Sequence, residues 1–256
     1  LELCEKLIED SQEFHQIPNL AYWKNGEVVV NEERPTFNKS LDLYPSPYLT
    51  GEFDYLLTED HSFQAIIETN RGCPFLCTYC YWGRGGTTRK YRFRDLETVF
   101  KEIDFFAKNK IEYVFNADSN FDMHKRDYDI ALKLVENKKR SGYPEKFRTC
   151  WGKNSSERIF RIATLLHLNG IDKGVTLARQ SNSPTVLKLV KRDNIKLEAY
   201  STLQERFNTI DIPVYAEMIL GLPGETYDSW KNGLDELLET GLNNQLFVYM
   251  AEVYPN

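Results

Sequence analysis

From residue 62 onward, short runs of β-branched and aromatic residues alternate with longer stretches of helical periodicity. This alternation is typical of βα units, in which each helix returns the chain so that successive strands lie parallel. We therefore predict an α/β fold built on a parallel sheet. The predicted strands cover residues 63–69, 112–118, 147–151, 174–178, 214–220 and 245–253. The predicted helices lie near residues 96–109, 127–141, 157–169, 195–209 and 227–240.

The first sixty residues show no sustained periodicity and carry scattered Pro, Asn and charged residues. We predict that residues 1–60 form an irregular linker with one hairpin, and that residues 61–256 form one core domain. The first nine residues, LELCEKLIE, read as the tail of a helix. We therefore expect residues 1–60 to include the end of a missing N-terminal domain.

The composition limits the classes of partner. With 256 residues, of which 41% are hydrophobic, the chain can bury the core of a single catalytic domain. The formal net charge of -6 disfavours a nucleic-acid partner, because phosphate-backbone binding requires a broad basic face. No apolar run is long enough to cross a bilayer, and the acidic start is unlike a signal peptide. We expect a cytoplasmic protein with neither a nucleic-acid nor a membrane partner.

Three of the five cysteines, Cys73, Cys77 and Cys80, lie within eight residues in the loop after the first predicted strand. In a parallel αβ barrel such loops carry the chemistry, because they vary without disturbing the core. The spacing suits a metal better than a disulfide framework, and thiolates select iron-sulfur clusters, zinc or Cu(I). Three thiolates can bind three irons of a cubane and leave the fourth iron open to an outside ligand.

A structural zinc site is the alternative, and it requires four closed tetrahedral ligands. The fourth ligand is missing from the loop, because His61 lies at the far end of the preceding strand and Cys4 and Cys150 are remote in sequence. We therefore favour a [4Fe-4S] cluster. A non-catalytic binding module stabilised by a metal is kept as a hypothesis of another class.

The pattern Cys-x3-Cys-x2-Cys after a first barrel strand resembles the radical S-adenosylmethionine (radical SAM) superfamily, over roughly residues 62–256. The resemblance implies a partial (βα)6 TIM-like barrel of the radical SAM type. It also implies that S-adenosylmethionine chelates the open iron of the cluster, and that electron transfer then cleaves it to give a 5'-deoxyadenosyl radical. Tyr79 matches the aromatic residue that the family places close to the adenine.

Further candidate cofactor contacts rest on the same resemblance. Asp118 stands where the family has a Gly-Gly-Glu-like turn for the methionyl amino group, and an Asp/Asn-rich turn closing a strand is the alternative. Gln180 and Ser181 match a segment directed at the ribose and the carboxylate. Arg192 matches an Arg that pairs with the methionyl carboxylate, to which a guanidinium fork is suited. The alternative for Arg192 is a solvated charge at a helix end.

The fifth predicted strand runs into Gly-x-Pro-Gly-Glu-Thr, and the resemblance implies cofactor contacts at Glu217, Gly221, Gly224 and Glu225. Glycine lets the backbone approach a flat adenine or ribose closely. Thr226 or Glu225 is expected to open the next helix, where an N-cap oxygen satisfies free amide donors. A purely structural turn is the alternative.

The stretch Leu41–Tyr48, LDLYPSPY, resembles the linker of cobalamin-binding radical SAM enzymes. This resemblance implies a cobalamin held through a domain absent from these residues. The implied function is cobalamin-dependent methyl transfer or carbon-skeleton chemistry on a small molecule. A methylthiotransferase acting on tRNA or protein is the alternative within the superfamily.

A basic run lies between the cysteines and the next predicted helix, at Arg84, Arg89, Lys90, Arg92 and Arg94. Its position in an acidic chain predicts the docking of an acidic electron donor such as flavodoxin, or of an anionic substrate. A solvated charged face is the alternative.

Overall fold

The computed structural model describes residues 2–11, 13–32, 40–58, 62–80, 82, 90–154, 157–242 and 244–253. The chain divides into two compact units, residues 1–39 and 40–256. The first unit contains α1 (Glu2–Ile8) and the antiparallel strands β1 (Ala21–Lys24) and β2 (Glu27–Val30). Short 3-10 turns occur at Phe14–Gln16, Leu41–Leu43 and Leu56–Thr58.

The β1–β2 turn is Asn25-Gly26, and both residues have positive φ, 54° and 83°. A two-residue loop of this kind matches the twist of the strands that it joins. The hairpin predicted for the first sixty residues is therefore confirmed. The predicted domain limits, 1–60 and 61–256, and the assignment of the first segment to a missing domain stay predictions.

The second unit alternates strands and helices, as the sequence predicts. Its strands are β3 (Gln64–Ile67), β4 (Asn70–Arg71), β5 (Arg92–Phe93), β6 (Tyr113–Phe121), β7 (Lys146–Trp151), β8 (Val175–Gln180), β9 (Val214–Leu220) and β10 (Leu246–Met250). Its helices are α2 (Leu96–Lys108), α3 (Lys125–Ser141), α4 (Glu157–Leu168), α5 (Pro184–Leu189), α6 (Leu197–Thr209) and α7 (Tyr227–Glu239).

The six long strands of this unit are parallel and follow one another in chain order. They form two ladders, β3-β6-β7 and β8-β9-β10. The two ladders meet where Phe147 N of β7 donates to Ile171 O at 2.8 Å and Trp151 Nε1 donates to Gly174 O at 3.3 Å. This order is that of an open, partial (βα)6 barrel. The C-terminal ends of all six strands therefore lie at one edge, where the candidate residues also lie.

Helix α2 shows why the helices cover the outer face of the barrel. Val99, Ile103 and Phe106 recur at a spacing of four and three residues, and all three are fully buried. They share one hydrophobic cluster with Val114 of β6. A single apolar stripe thus fixes the helix on the strand layer.

Strand β9 shows how the inner face is defined. Val214, Ala216 and Met218 are fully buried in the hydrophobic cluster that includes residues of α6. Successive side chains of a strand point to opposite faces. Glu217 therefore lies on the inner face of the barrel, on the side away from the helices.

Two elements were not predicted from the sequence, helix α5 and the antiparallel pair β4–β5. Helix α5 has six residues, too few for its periodicity to be recognised, and it begins after Ser183, whose side chain accepts from Val186 N at 3.5 Å. Among the described residues, no helix is both long and apolar enough to cross a bilayer.

Candidate functional site

The cysteine loop follows β4 at the edge where the parallel strands end. Cys73 and Cys77 are 4% and 2% exposed, Cys80 is half-buried, and all three are free thiols. The loop is fixed from within by Cys80 N, which donates to Cys77 O at 3.1 Å. It is fixed from outside by Thr78 N, which donates to Val190 O at 3.0 Å. The three cysteines thus lie in one anchored loop at this edge, and their role as ligands of a cluster stays a prediction.

Two of the three sulfurs receive hydrogen bonds from the ends of neighbouring strands. Asn120 Nδ2 lies 3.3 Å from Cys73 Sγ, and Lys153 Nζ lies 2.8 Å from Cys77 Sγ. Hydrogen bonds to cysteine sulfurs are among the contacts by which a protein stabilises and tunes an iron-sulfur cluster. These two donors fit Cys73 and Cys77 as ligands of such a cluster. Within the described residues, no group of three or more His, Cys, Asp or Glu side chains is arranged to hold a single metal ion.

Sequence reasoning missed Asn120 and Lys153. Both lie just where a parallel strand ends, which is where a barrel carries its chemistry. Their position at the strand ends was the one feature of the sequence that could have identified them. The residue types alone gave no reason to choose them, because Asn and Lys are also common in solvated loops.

Asp118 lies at the centre of a buried network beside the cysteine loop. Its carboxylate accepts from Thr69 N and Asn70 N at 2.7 and 3.0 Å, and from Asn70 Nδ2 and Asn116 Nδ2 at 2.9 and 3.2 Å. The Thr69 hydroxyl also donates to it. Burial raises the pKa of Asp118 to about 6, although these hydrogen bonds lower it. The carboxylate therefore fastens the start of the cysteine loop to β6.

These bonds use both oxygens of Asp118. The predicted contact between this carboxylate and a methionyl amino group stays a prediction, and it requires at least one bond of the network to be exchanged. As the structure stands, Asp118 is a support for the loop.

Arg192 joins the cysteine loop to the end of β8. It is 3% exposed, and its Nη1 donates to the Tyr79 hydroxyl at 2.9 Å. Its Nε donates to Asn194 Oδ1 at 2.7 Å, and its Nη2 donates to Ala178 O. Burial raises the pKa of Tyr79, against the lowering effect of the guanidinium. These three bonds leave two of the five N–H groups of Arg192 for the predicted methionyl carboxylate.

The end of β8 and the loop after β9 contain buried acceptors that lack donors among the described residues. Gln180 Oε1 and Glu225 Oε2 have no hydrogen-bond partner in the part of the chain that the structure describes. The Ser181 hydroxyl donates to the other oxygen of Glu225, Oε1, at 3.0 Å. Burial raises the pKa of Glu217, and a hydrogen bond from Gln180 opposes this shift. Buried acceptors without partners are costly, so a ligand that supplies O–H or N–H donors fits here.

A cavity of about 410 Å³ opens beside Gln180, and it is also lined by Tyr79, Ile219, Leu222 and the chain from Tyr249 to Glu252. It combines apolar surface with a few polar groups, which is typical of sites for small ligands. The predicted adenine neighbour, Tyr79, therefore lines the same cavity as Gln180. These observations fit the binding of S-adenosylmethionine next to the cysteine loop.

The Gly-x-Pro-Gly-Glu-Thr turn requires its glycines for two different reasons. Gly221 has φ 91°, and an added Cβ would lie 3.8 Å from Ala251 Cβ, so the need for glycine there is conformational. Gly224 has φ 81°, and an added Cβ would lie 2.5 Å from Leu189 Cδ1, so a side chain would also clash. Thr226 Oγ1 accepts from Ser229 N at 3.1 Å, which confirms the predicted N-cap of α7.

The structure describes part of the basic run. Arg84 and Arg89 lie outside the described residues. Lys90 is exposed, and Arg94 Nη1 donates to Tyr44 O at 3.0 Å, which gives Arg94 a structural contact. The docking of an acidic donor at this run stays a prediction.

Comparisons with known proteins agree with this fold and define the family. The profile described as "Radical SAM superfamily" matches residues 67–237. The chain is 36% identical over its full length to the cobalamin-dependent radical SAM methyltransferase TokK of Streptomyces tokunonensis, and it spans 38% of that protein. It is 35% identical over its full length to the 2-(S-pantetheinyl)-carbapenam-3-carboxylate methyltransferase of Streptantibioticus cattleyicolor, of which it also spans 38%.

Solved structures agree at the level of the fold. The methyltransferase TsrM from Kitasatospora setae, with cobalamin and a [4Fe-4S] cluster bound, superposes with a TM-score of 0.66 at 16% identity. The match covers 96% of this chain and 48% of TsrM.

The chain therefore belongs to the radical SAM superfamily, the enzymes whose cofactors are a [4Fe-4S] cluster and S-adenosylmethionine. Within that class it is more similar to the two methyltransferases named above than to a tRNA-2-methylthio-N(6)-dimethylallyladenosine synthase from Hydrogenobaculum, at 24% identity over 98% of the chain.

Proposed function

We propose that this chain is the catalytic core of a cobalamin-dependent radical SAM methyltransferase that acts on a small molecule. Cys73, Cys77 and Cys80 hold the [4Fe-4S] cluster. The observation that carries the proposal is the loop of three free thiols, two of them hydrogen-bonded at sulfur, in a chain 36% identical throughout to a cobalamin-dependent radical SAM methyltransferase.

When bound, the reduced cluster would supply the electron that cleaves S-adenosylmethionine into methionine and a 5'-deoxyadenosyl radical, and cobalamin would supply methyl transfer. The residues of the chain bind and orient. Asp118 holds the start of the cysteine loop, and Arg192 fixes the Tyr79 ring at the cavity wall. Gln180 Oε1 and Glu225 Oε2 accept from donor groups of S-adenosylmethionine.

Cobalamin is bound, in this proposal, mainly by a domain outside these 256 residues. The chain spans 38% of the length of the two methyltransferases that it resembles, which leaves room in such proteins for a further domain. The substrate class follows from the same relatives, one of which is named for a pantetheinyl carbapenam carboxylate.

The cluster also requires a reductant and a reducing compartment. All five cysteines are free thiols, which is the state maintained in the cytoplasm. We keep an acidic one-electron donor such as flavodoxin as the proposed partner, and its support is the charge of the basic run alone.

The decisive experiment is anaerobic reconstitution of the full-length protein with iron and sulfide, followed by metal analysis and product analysis. We expect about four irons per chain. With dithionite, S-adenosylmethionine, cobalamin and a pantetheinyl carbapenam carboxylate as the candidate methyl acceptor, we expect 5'-deoxyadenosine and the methylated acceptor. Bound zinc without labile sulfide would contradict the proposal and support a metal-stabilised binding module. Transfer of a methylthio group to tRNA or protein would support the methylthiotransferase.

A further inference from the structure

Lys153, the second residue after β7, places an ammonium directly against one of the cysteine sulfurs. Its Nζ lies 2.8 Å from Cys77 Sγ and 5.0 Å from the centre of the Phe75 ring. Among the described residues, no carboxylate lies within ion-pair distance of this ammonium. The contact with sulfur is therefore its principal polar contact in the described part of the chain. Asp193 lines the same cavity but forms no ion pair with Lys153.

Other cationic side chains lie near Lys153, but they donate no hydrogen bond to a sulfur in the described part of the chain. A cavity of about 430 Å³ is lined by Cys77, Lys153, Lys188, Lys191 and Arg192, among others. Lys188 and Lys191 are exposed, and neither donates a hydrogen bond to a sulfur in the described part of the chain. Arg192 is engaged with Tyr79. Lys153 is thus the cation of this cavity that touches a candidate cluster ligand.

The position of this cation has an electrostatic consequence for a one-electron couple. Reduction of a [4Fe-4S] cluster adds one electron from an external low-potential donor; no covalent bond forms or breaks in this step. The added negative charge is spread over the cluster and its sulfurs. A cation at hydrogen-bond distance from one sulfur stabilises the reduced state more than the oxidised state. Its effect is screened less than at a free surface, because Cys77 is buried.

We propose that Lys153 is a positioning residue that raises the reduction potential of the cluster by donating a hydrogen bond to Cys77 Sγ. The inference rests on the proposed function in one respect, namely that Cys77 is a ligand of the cluster. In this proposal, Lys153 after β7 makes the cluster easier to reduce.

The test is an anaerobic redox titration of the reconstituted full-length protein, with the reduced cluster counted by EPR. At a fixed potential, we expect the ratio of reduced to oxidised cluster in Lys153→Met to fall about tenfold, which is about 59 mV for a one-electron couple. Lys153→Arg retains the charge and should recover most of this ratio. Lys188→Met is the matched control, because it removes an equal charge from the same cavity without removing a bond to sulfur.

Equal midpoint potentials in Lys153→Met and Lys188→Met would overturn the proposal. Lys153→Gln provides a second neutral variant that can still donate to sulfur, and we expect its potential to lie between those of Lys153→Met and the wild type. Loss of iron from both neutral variants would also overturn the proposal, because Lys153 would then be required for assembly. A wild-type protein that binds no cluster would contradict the proposed function itself, and this outcome is distinct from the two above.

Discussion

Two carboxylates at the edge where the parallel strands end differ in how many hydrogen bonds their oxygens accept. Asp118, in β6, receives hydrogen bonds from Thr69, Asn70 and Asn116 on its two oxygens. Glu225, in the loop after β9, receives one bond from Ser181 and leaves the buried Oε2 without a partner among the described residues. Both oxygens of Asp118 accept hydrogen bonds without a ligand, whereas Glu225 Oε2 can still accept one from a ligand. The difference indicates that one side of the site is scaffold and the other side is a binding surface.

The largest expected effect concerns the cysteine loop, which the scaffold side supports. Replacing Cys73, Cys77 or Cys80 by Ala should abolish cluster assembly and the formation of 5'-deoxyadenosine, because three thiolates are required to bind three irons. Iron and sulfide analysis together with product analysis will measure this. Cys4→Ala and Cys150→Ala are the controls and should leave both properties intact. A Cys77→Ala protein that still forms 5'-deoxyadenosine would contradict the assignment.

The second prediction concerns stability. Asp118→Asn replaces an acceptor oxygen by an NH2 group that faces buried donors, so the free energy of unfolding should fall by about 2 kcal/mol. Denaturant unfolding of the apoprotein measures it. An unchanged midpoint would show that the network is dispensable.

The pH dependence of the same variant gives an independent check. The folded pKa of Asp118, about 6, lies above its ordinary value of 3.8, so the folded state binds the proton more tightly. The contribution of Asp118 to stability therefore rises as the pH falls from 7 toward 4, by at most about 1.4 kcal/mol per pH unit. We expect this slope in the wild type and its loss in Asp118→Asn.

The third prediction tests the cavity wall on the binding side. Gly221→Val should weaken the binding of S-adenosylmethionine about tenfold or more, because a branched side chain would extend toward Ala251, which lines the cavity. The visible absorption of the cluster should stay normal. Calorimetry measures the affinity. Gly142→Val is a matched control, because Gly142 has φ 85°, close to the 91° of Gly221, but lies at the C-cap of α3 with no atom within 4 Å of an added Cβ. Equal affinities in the two variants would mean that the turn is only structural.

The fourth prediction makes the comparison of the two carboxylates direct. Glu225→Gln is the same chemical change as Asp118→Asn, but it should alter the free energy of unfolding by less than about 0.5 kcal/mol. It should instead weaken S-adenosylmethionine binding about fivefold to tenfold, the value of one hydrogen bond. A large loss of stability with normal affinity would reverse the roles of the two regions.

The smallest expected effect concerns the basic run. Changing Arg89, Lys90 and Arg92 together to Gln should slow reduction by flavodoxin and flatten its salt dependence, because the attraction between basic side chains and an acidic partner is screened beyond about 10 Å at moderate salt. Reduction by dithionite should hardly change. Stopped-flow measurements at several salt concentrations will compare the two reductants. If the flavodoxin rate and its salt slope both survive, donor docking at this run is excluded.

Most of the fold could be predicted from the sequence, because each strand and each long helix carries its own periodicity. Strand β9 lies at Val214–Leu220, as predicted, and the other boundaries agree within a few residues. The cysteine loop was likewise readable from local spacing. Helix α5 was not, since six residues are too few to show a period.

The polar contacts of the site could not be predicted, because they join residues distant in the chain. Lys153 reaches Cys77 across 76 positions, and Asn120 reaches Cys73 across 47. For Asp118, the sequence indicated a candidate acceptor, but its partners Thr69 and Asn70 are fixed only by the pairing of β3 with β6. The local spacing therefore predicts the candidate cysteine ligands, but their hydrogen-bond partners can be identified only from the tertiary structure.

The contacts of Arg192 and Val190 with the cysteine loop constrain the order of events during synthesis. Tyr79 and Arg192 are separated by 113 positions, so a nascent chain that has emerged only as far as β7 lacks both contacts. Closing so long a loop is slow and costs entropy. The three thiols are thus translated early but receive their outer restraints only after α5 has left the ribosome. Metal loading after β8 and α5 are complete would meet a loop with all these contacts. Earlier loading would meet a loop that Asp118 and Asn120 of β6 hold at its start, without the contacts of Val190 and Arg192.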